Sequence, residues 1–172
     1  MSKSKFIFDE DKANRAVYFI EHFITHVKGE KAGQPFILEP WQKDQIIKPI
    51  FGYVDKKTNL RQYRTAYIEI PRKNGKSSLC AAIALYVLFA DSERGAEIYS
   101  AAGDRAQAGI VFSIAKQMVL NNPELSKRAK VFRNSIVFGE KGNTYKAISA
   151  DAYTKHGFNA HCVIMDELHT QP

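Results

Sequence analysis

Cysteine, tryptophan and long apolar runs are scarce in these 172 residues, and each shortage narrows the reading. The two cysteines, Cys80 and Cys162, lie in apolar segments. That is the pattern of buried thiols in a reducing compartment. Neither their spacing nor the five histidines describes a metal cage. No apolar stretch reaches the roughly 18 residues needed to cross a bilayer. The basic N-terminus, Met1-Ser2-Lys3-Ser4-Lys5, runs into Asp9, Glu10 and Asp11 instead of an apolar core, which argues against a secretory signal. The single tryptophan, Trp41, reads as core and the adjacent Gln42 as a solvated polar side chain. Internal repeats, low-complexity tracts and long linkers are also missing, so one domain over residues 1–172 is the simplest organisation.

What is present fits a soluble globular chain, with 45% hydrophobic and 25% charged residues. The net charge of +7 favours an acidic partner, and nucleic acid is the leading class. Basic residues gather at Lys56, Lys57, Arg61 and Arg64, and again at Lys127, Arg128, Lys130 and Arg133. Either group also fits a plain solvated surface.

Apolar spacing predicts a helix over residues 10–28, with Asp9 as N-cap and Gly29 as stop. Pro40 suits the first turn of a short helix ending before Gly52. Strands are predicted at Thr65–Ile70, Ala96–Ala102, Tyr145–Ala150 and Ala160–Met165. A hairpin is predicted around Arg133-Asn134-Ser135, and helices at about Lys76–Phe89 and Arg105–Leu120. Strands alternating with helices imply a mostly parallel sheet with helices on both faces, an α/β fold with an additional N-terminal helix.

Two motifs carry chemistry. Tyr67 to Ser78 passes from a β-like segment through Pro71-Arg72-Lys73-Asn74-Gly75-Lys76-Ser77 into the helix. Gly75-Lys76-Ser77 closes a phosphate-binding loop, in which backbone N–H groups, a lysine and a hydroxyl converge on phosphate and metal. The first glycine of the general pattern is replaced by Ile70. The plain alternative is a surface turn whose Ser77 caps the next helix. Val163-Ile164-Met165-Asp166-Glu167 is an apolar run ending in two acids. Such a run suits a buried parallel strand whose end meets a ligand. Asp166 can then hold Mg²⁺ opposite Ser77, and Glu167 can polarise the attacking water. The alternative is an exposed turn or helix cap.

Four segments together resemble the ATPase part of the large terminase subunit of tailed bacteriophages. They are Leu38-Glu39-Pro40-Trp41-Gln42, the loop Pro71–Ser77, Ala101-Ala102-Gly103-Asp104-Arg105-Ala106-Gln107-Ala108, and Gly157-Phe158 followed by Val163–His169. The resemblance covers nearly the whole chain, and the missing first glycine matches that family's own loop. It implies a P-loop NTPase fold, ATP and Mg²⁺. Lys76 would contact the β- and γ-phosphates and Ser77 the metal. Lys73, Asn74, Gly75 and Ser78 would complete the cradle. Arg72 would act on the transition state, and Gln42 would read adenine. Asp166 would bind Mg²⁺, and Glu167 would be catalytic.

The implied activity is a motor that hydrolyses ATP to drive double-stranded viral DNA through a portal into a capsid. Its implied partners are the small terminase subunit and the portal protein, in the cytoplasm of the bacterial host. A homo-oligomer is compatible, and no membrane is involved. The family continues beyond the acidic motif with a coupling segment and a nuclease domain, whereas this chain stops at Pro172. The expectation is therefore a fragment, either a deliberate one or a truncated prophage-derived gene, that keeps nucleotide binding but not coupled translocation or cleavage. Its open sheet edge would be prone to self-association. A helicase-like ATPase and a catalytically incomplete binding module are the alternatives.

Overall fold

The computed structural model describes residues 4–71, 73–102, 105–149 and 159–166, without the side chains of 105–108 and 149. Asp9 starts the first helix as predicted, its carboxylate accepting from the Lys12 N–H at 3.0 Å. Helix α1 spans Glu10–Phe23 and buries Ala13, Ala16, Val17, Phe19 and Ile20. It ends well short of Gly29, because Ile24 is already extended and Thr25 bridges to Pro35. Strand β1 (Phe6–Phe8) pairs antiparallel with β2 (Tyr53–Asp55). Between them in sequence run α2 (Pro40–Gln42), a π-helical turn over Lys43–Ile47, and α3 (Lys48–Gly52). A Cβ on Gly52 would stand 2.4 Å from the Phe8 ring and 3.0 Å from the Ala13 Cβ, so any larger residue here would force the Phe8 ring aside.

The main sheet has five strands in the order β4-β5-β6-β3-β7. These are β3 (Glu97–Ala102), β4 (Ala129–Val131), β5 (Ser135–Phe138), β6 (Asn143–Ser149) and β7 (Ala160–Met165). β3 runs parallel to both β6 and β7, while β5 is antiparallel to β4 and β6. Hence all strands but β5 point the same way. Helices α4 (Lys76–Phe89), α5 (Arg105–Asn121) and α6 (Pro123–Arg128) flank the sheet. None of the helices in the described residues is long and apolar enough to cross a membrane.

Helix α4 is the centre of the core. Leu79, Ala81, Ala82 and every residue from Ala84 to Phe89 are buried. It is apolar all round because it is covered all round. Phe19 of α1 meets Tyr86 and Phe89, and Phe89 in turn meets Phe138 of β5. Each such side chain contributes about 1.5–3 kcal/mol relative to an exposed one. A buried polar knot ties this packing to the sheet. Asn143 Nδ2 donates to the Leu88 and Glu93 carbonyls at 3.0 and 3.2 Å, and its Oδ1 accepts from Ala96 N–H at 2.9 Å.

The strand predicted at Thr65–Ile70 is not formed. Ile68 and Ile70 pack on the core while Tyr67 and Glu69 are exposed, so the side chains alternate as a strand's would. No neighbouring strand supplies a ladder, since β7 pairs with β3 alone among the described residues. Helix α6 was not predicted either. Asn122 caps it and also donates to the Phe23 carbonyl at 3.0 Å, tying it to the end of α1.

Candidate functional site

The phosphate-loop segment turns on two left-handed residues, Lys73 (φ 68°) and Gly75 (φ 73°). Gly75 adopts this conformation without strain, whereas for Lys73 it costs energy. Gly75 is the N-cap of α4 and brings no capping side chain. The reading of Ser77 as a helix cap therefore does not hold: Ser77 lies inside the first turn. First-turn N–H groups have no intrahelical acceptor and carry the positive end of the helix dipole. An uncapped start of this kind favours an anion. Asn74 Nδ2 donates to the Pro71 carbonyl at 3.2 Å, closing the loop on itself.

Asp166, immediately after β7, is brought onto this helix start. Its side chain is buried, and Ser77 Oγ donates to Oδ2 at 2.9 Å. Lys76 Nζ stands 3.5 Å from Oδ1. Three residues of the two sequence motifs thus meet across a gap of 89 positions. One negative charge, one positive charge and one hydroxyl share the mouth formed by α4 and the end of β7. Oxygens from a carboxylate and a hydroxyl form a donor set for a hard divalent cation.

Gln42 is not a solvated side chain. It is buried, and its Oε1 accepts from Glu39 N–H at 2.9 Å in a capping box at the start of α2. Among the described residues no hydrogen bond links it to Lys76, Ser77 or Asp166. Arg72 and Glu167 lie outside the described residues. Lys73 is exposed and Ser78 is half-buried in the first turn of α4.

Two supporting groups had no local signature in the sequence. Arg61 Nη1 donates to Asp91 Oδ2 at 2.7 Å, and His161 Nε2 lies 3.0 Å from the same oxygen. Burial opposes ionisation of Asp91, but His161 and Arg61 outweigh it and hold the carboxyl well below the usual range. The cluster clamps the end of α4 to the start of β7, which fixes the strand carrying Asp166. Cys80, one turn along α4, has its thiol pushed up to about 12 by burial and by the Asp166 charge, against the pull of Lys76. Cys162 is pushed up to about 11, mainly by burial. Both are free thiols, half-buried rather than fully buried, and both stay protonated at neutral pH.

Residues 40–172 match the family model described as the terminase large subunit, ATPase domain. The chain is 35% identical over 159 residues to the terminase large subunit of Enterobacteria phage HK97, covering 91% of this chain and 30% of that protein. It is also similar to the crystal structure of the HK97 bacteriophage large terminase, with a TM-score of 0.75 and 32% identity. That match covers 90% of this chain and 30% of the solved one. The chain thus spans less than a third of the length of these relatives. By sequence and by fold, it belongs to the family of the terminase large subunit ATPase domain.

Proposed function

We propose that this chain binds ATP with Mg²⁺ between the phosphate loop and the end of β7, as the ATPase region of a DNA-packaging motor. The observation that carries this reading is the 2.9 Å approach of Ser77 Oγ to Asp166 Oδ2. Ser77 Oγ and Asp166 Oδ2 would hold Mg²⁺ as a pair of oxygen donors, the kind of ligand this ion takes. When bound, the ion neutralises charge on the phosphates.

The chain's own groups divide the remaining work. Lys76, beside Asp166, is placed to take the β- and γ-phosphates. Lys73, Asn74, Gly75 and Ser78 complete the cradle at the α4 N-terminus. Arg72 offsets charge as the γ-phosphate leaves, and Glu167 orients the attacking water. Gln42 meets the adenine through its Nε2 donors, since Oε1 is engaged in the cap.

In this reading residues 1–172 act as one ATPase domain. Its partners are double-stranded viral DNA, the small terminase subunit and the portal protein, in the cytoplasm of the bacterial host. Membership of the terminase family sets aside the helicase-like alternative. The test is ATP turnover by the purified chain, with and without DNA, beside Lys76→Ala. Turnover above that control is expected, and turnover equal to it refutes the enzymatic reading. A parallel titration with nucleotide separates loss of binding from loss of turnover.

A further inference from the structure

We propose that the cleft between α5 and the tip of the β4–β5 hairpin binds the phosphodiester backbone of duplex DNA. The cleft has a volume of about 230 Å³. Lys116 and Arg133 face it from opposite walls, with Ser113 and Asn134 beside them. Among the described residues no acidic side chain lines it. Lys116 and Arg133 make no hydrogen bond or ion pair among the described residues. Elsewhere the basic groups are partly consumed: Arg61 is bound to Asp91, and Arg128 to Glu140 through two hydrogen bonds of 3.0 and 2.8 Å.

Gly109 opens the wall of α5, since a Cβ there would meet nothing within 4 Å. Phe132 stands next to Arg133 at the hairpin tip and is 52% exposed, offering an apolar surface to the sugars. Two cations without a partner among the described residues, flanked by a serine and an asparagine, are the donor types that contact DNA phosphates. A chain with a net charge of +7 adds long-range attraction to the same partner.

The position in the sheet ties the cleft to the nucleotide mouth. Ala147, on its floor, is in register with Ser100 of β3, and Ser100 with Ile164 of β7, two residues before Asp166. At about 4.8 Å per strand, the floor lies roughly 10 Å across the sheet from the Asp166 strand, at the same end. The choice of duplex DNA as occupant rests on the packaging reading. The cationic character of the cleft does not.

The experiment is fluorescence anisotropy of a labelled duplex with the whole chain, without nucleotide, over a salt series. The variants are Lys116→Ala, Arg133→Ala, their combination, Arg133→Lys, and a Lys56→Ala/Lys57→Ala control, each checked for native circular dichroism. Each alanine is expected to weaken binding several-fold and to lower the slope of log K against log salt by about one. Arg133→Lys should keep the slope, and the Lys56/Lys57 control should change it little. The proposal is overturned if the wild-type chain does not bind duplex, if the double variant keeps the wild-type affinity and slope, or if the control loses as much. Nucleotide affinity of the double variant should equal that of the wild type. Failure of the wild type to bind nucleotide would refute the nucleotide reading and leave the DNA result standing.

Discussion

Replacing Asp166 with asparagine gives a test whose sign depends on the metal. Asp166 is buried beside Lys76, at the point where polyphosphate would enter. Without Mg²⁺, its charge repels the nucleotide and competes for the lysine. A phosphate charge about 5 Å from the carboxylate interacts by roughly 0.8 kcal/mol in water and roughly 3 kcal/mol at an effective dielectric of 20. The Lys76 side chain is 30% exposed, so an intermediate value of about 1–2 kcal/mol is appropriate. The Asp166→Asn variant should therefore bind metal-free ATP about 5- to 30-fold more tightly. It should bind Mg-ATP more weakly, because an amide oxygen is a poorer partner for the cation. The amide still accepts from Ser77, so the local fold is retained. Titration of a fluorescent ATP analogue in EDTA and in Mg²⁺ reads both affinities. If both fall by the same factor, or metal-free binding is unchanged, Asp166 does not face the phosphates and the assignment fails.

Other outcomes follow from the supporting structure. Asn143→Ala strips partners from the Ala96 N–H and two carbonyls, and should cost about 2–4 kcal/mol, read as a fall in thermal midpoint of roughly 6–12 °C. Native Cys80 should react with a thiol reagent at pH 8 about 1,000-fold more slowly than an ordinary cysteine, because its thiol is raised from 9.0 to about 12. Rapid labelling without unfolding would contradict the raised thiol. The Asp91 carboxyl is depressed in the folded state, so its contribution to stability is complete above the unfolded carboxylate value, near pH 4, and is lost as pH falls below it. Asp91→Asn should accordingly lower stability at pH 7 and flatten its decline between about pH 4 and pH 2, measured by urea denaturation.

The parts of the site that could be read from the sequence are those whose chemistry is local. Gly75, Lys76 and Ser77 are contiguous, and Asp166 ends its own apolar run, so their types and surroundings mark them as candidates before any contact is known. Asn143 and Asp91 could not be found this way, because their partners lie 30 to 70 residues away and each looks like an ordinary polar loop residue. Gln42 was misjudged as solvated because its role as a cap depends on Glu39 turning back over it. Helix α6 did carry a signal, in Asn122 as cap, Pro123 at the first position and Glu124 after it. The strand predicted at Thr65–Ile70 failed for the opposite reason. Its alternation is real, but alternation reports which side chains face inward and not whether a hydrogen-bonding neighbour exists.

That unladdered segment has a mechanical consequence for the loop it feeds. Downstream of Gly75 the chain enters α4, gripped on every side by the core. Upstream it is held by the packing of Ile68 and Ile70, with no ladder of backbone bonds among the described residues. The loop thus has one stiff bank and one compliant bank. Displacement caused by an incoming ligand should be absorbed before Gly75, leaving Lys76 and Ser77 at fixed stations. Amide hydrogen exchange should register this as an early-exchanging run at 65–70 against a slow α4.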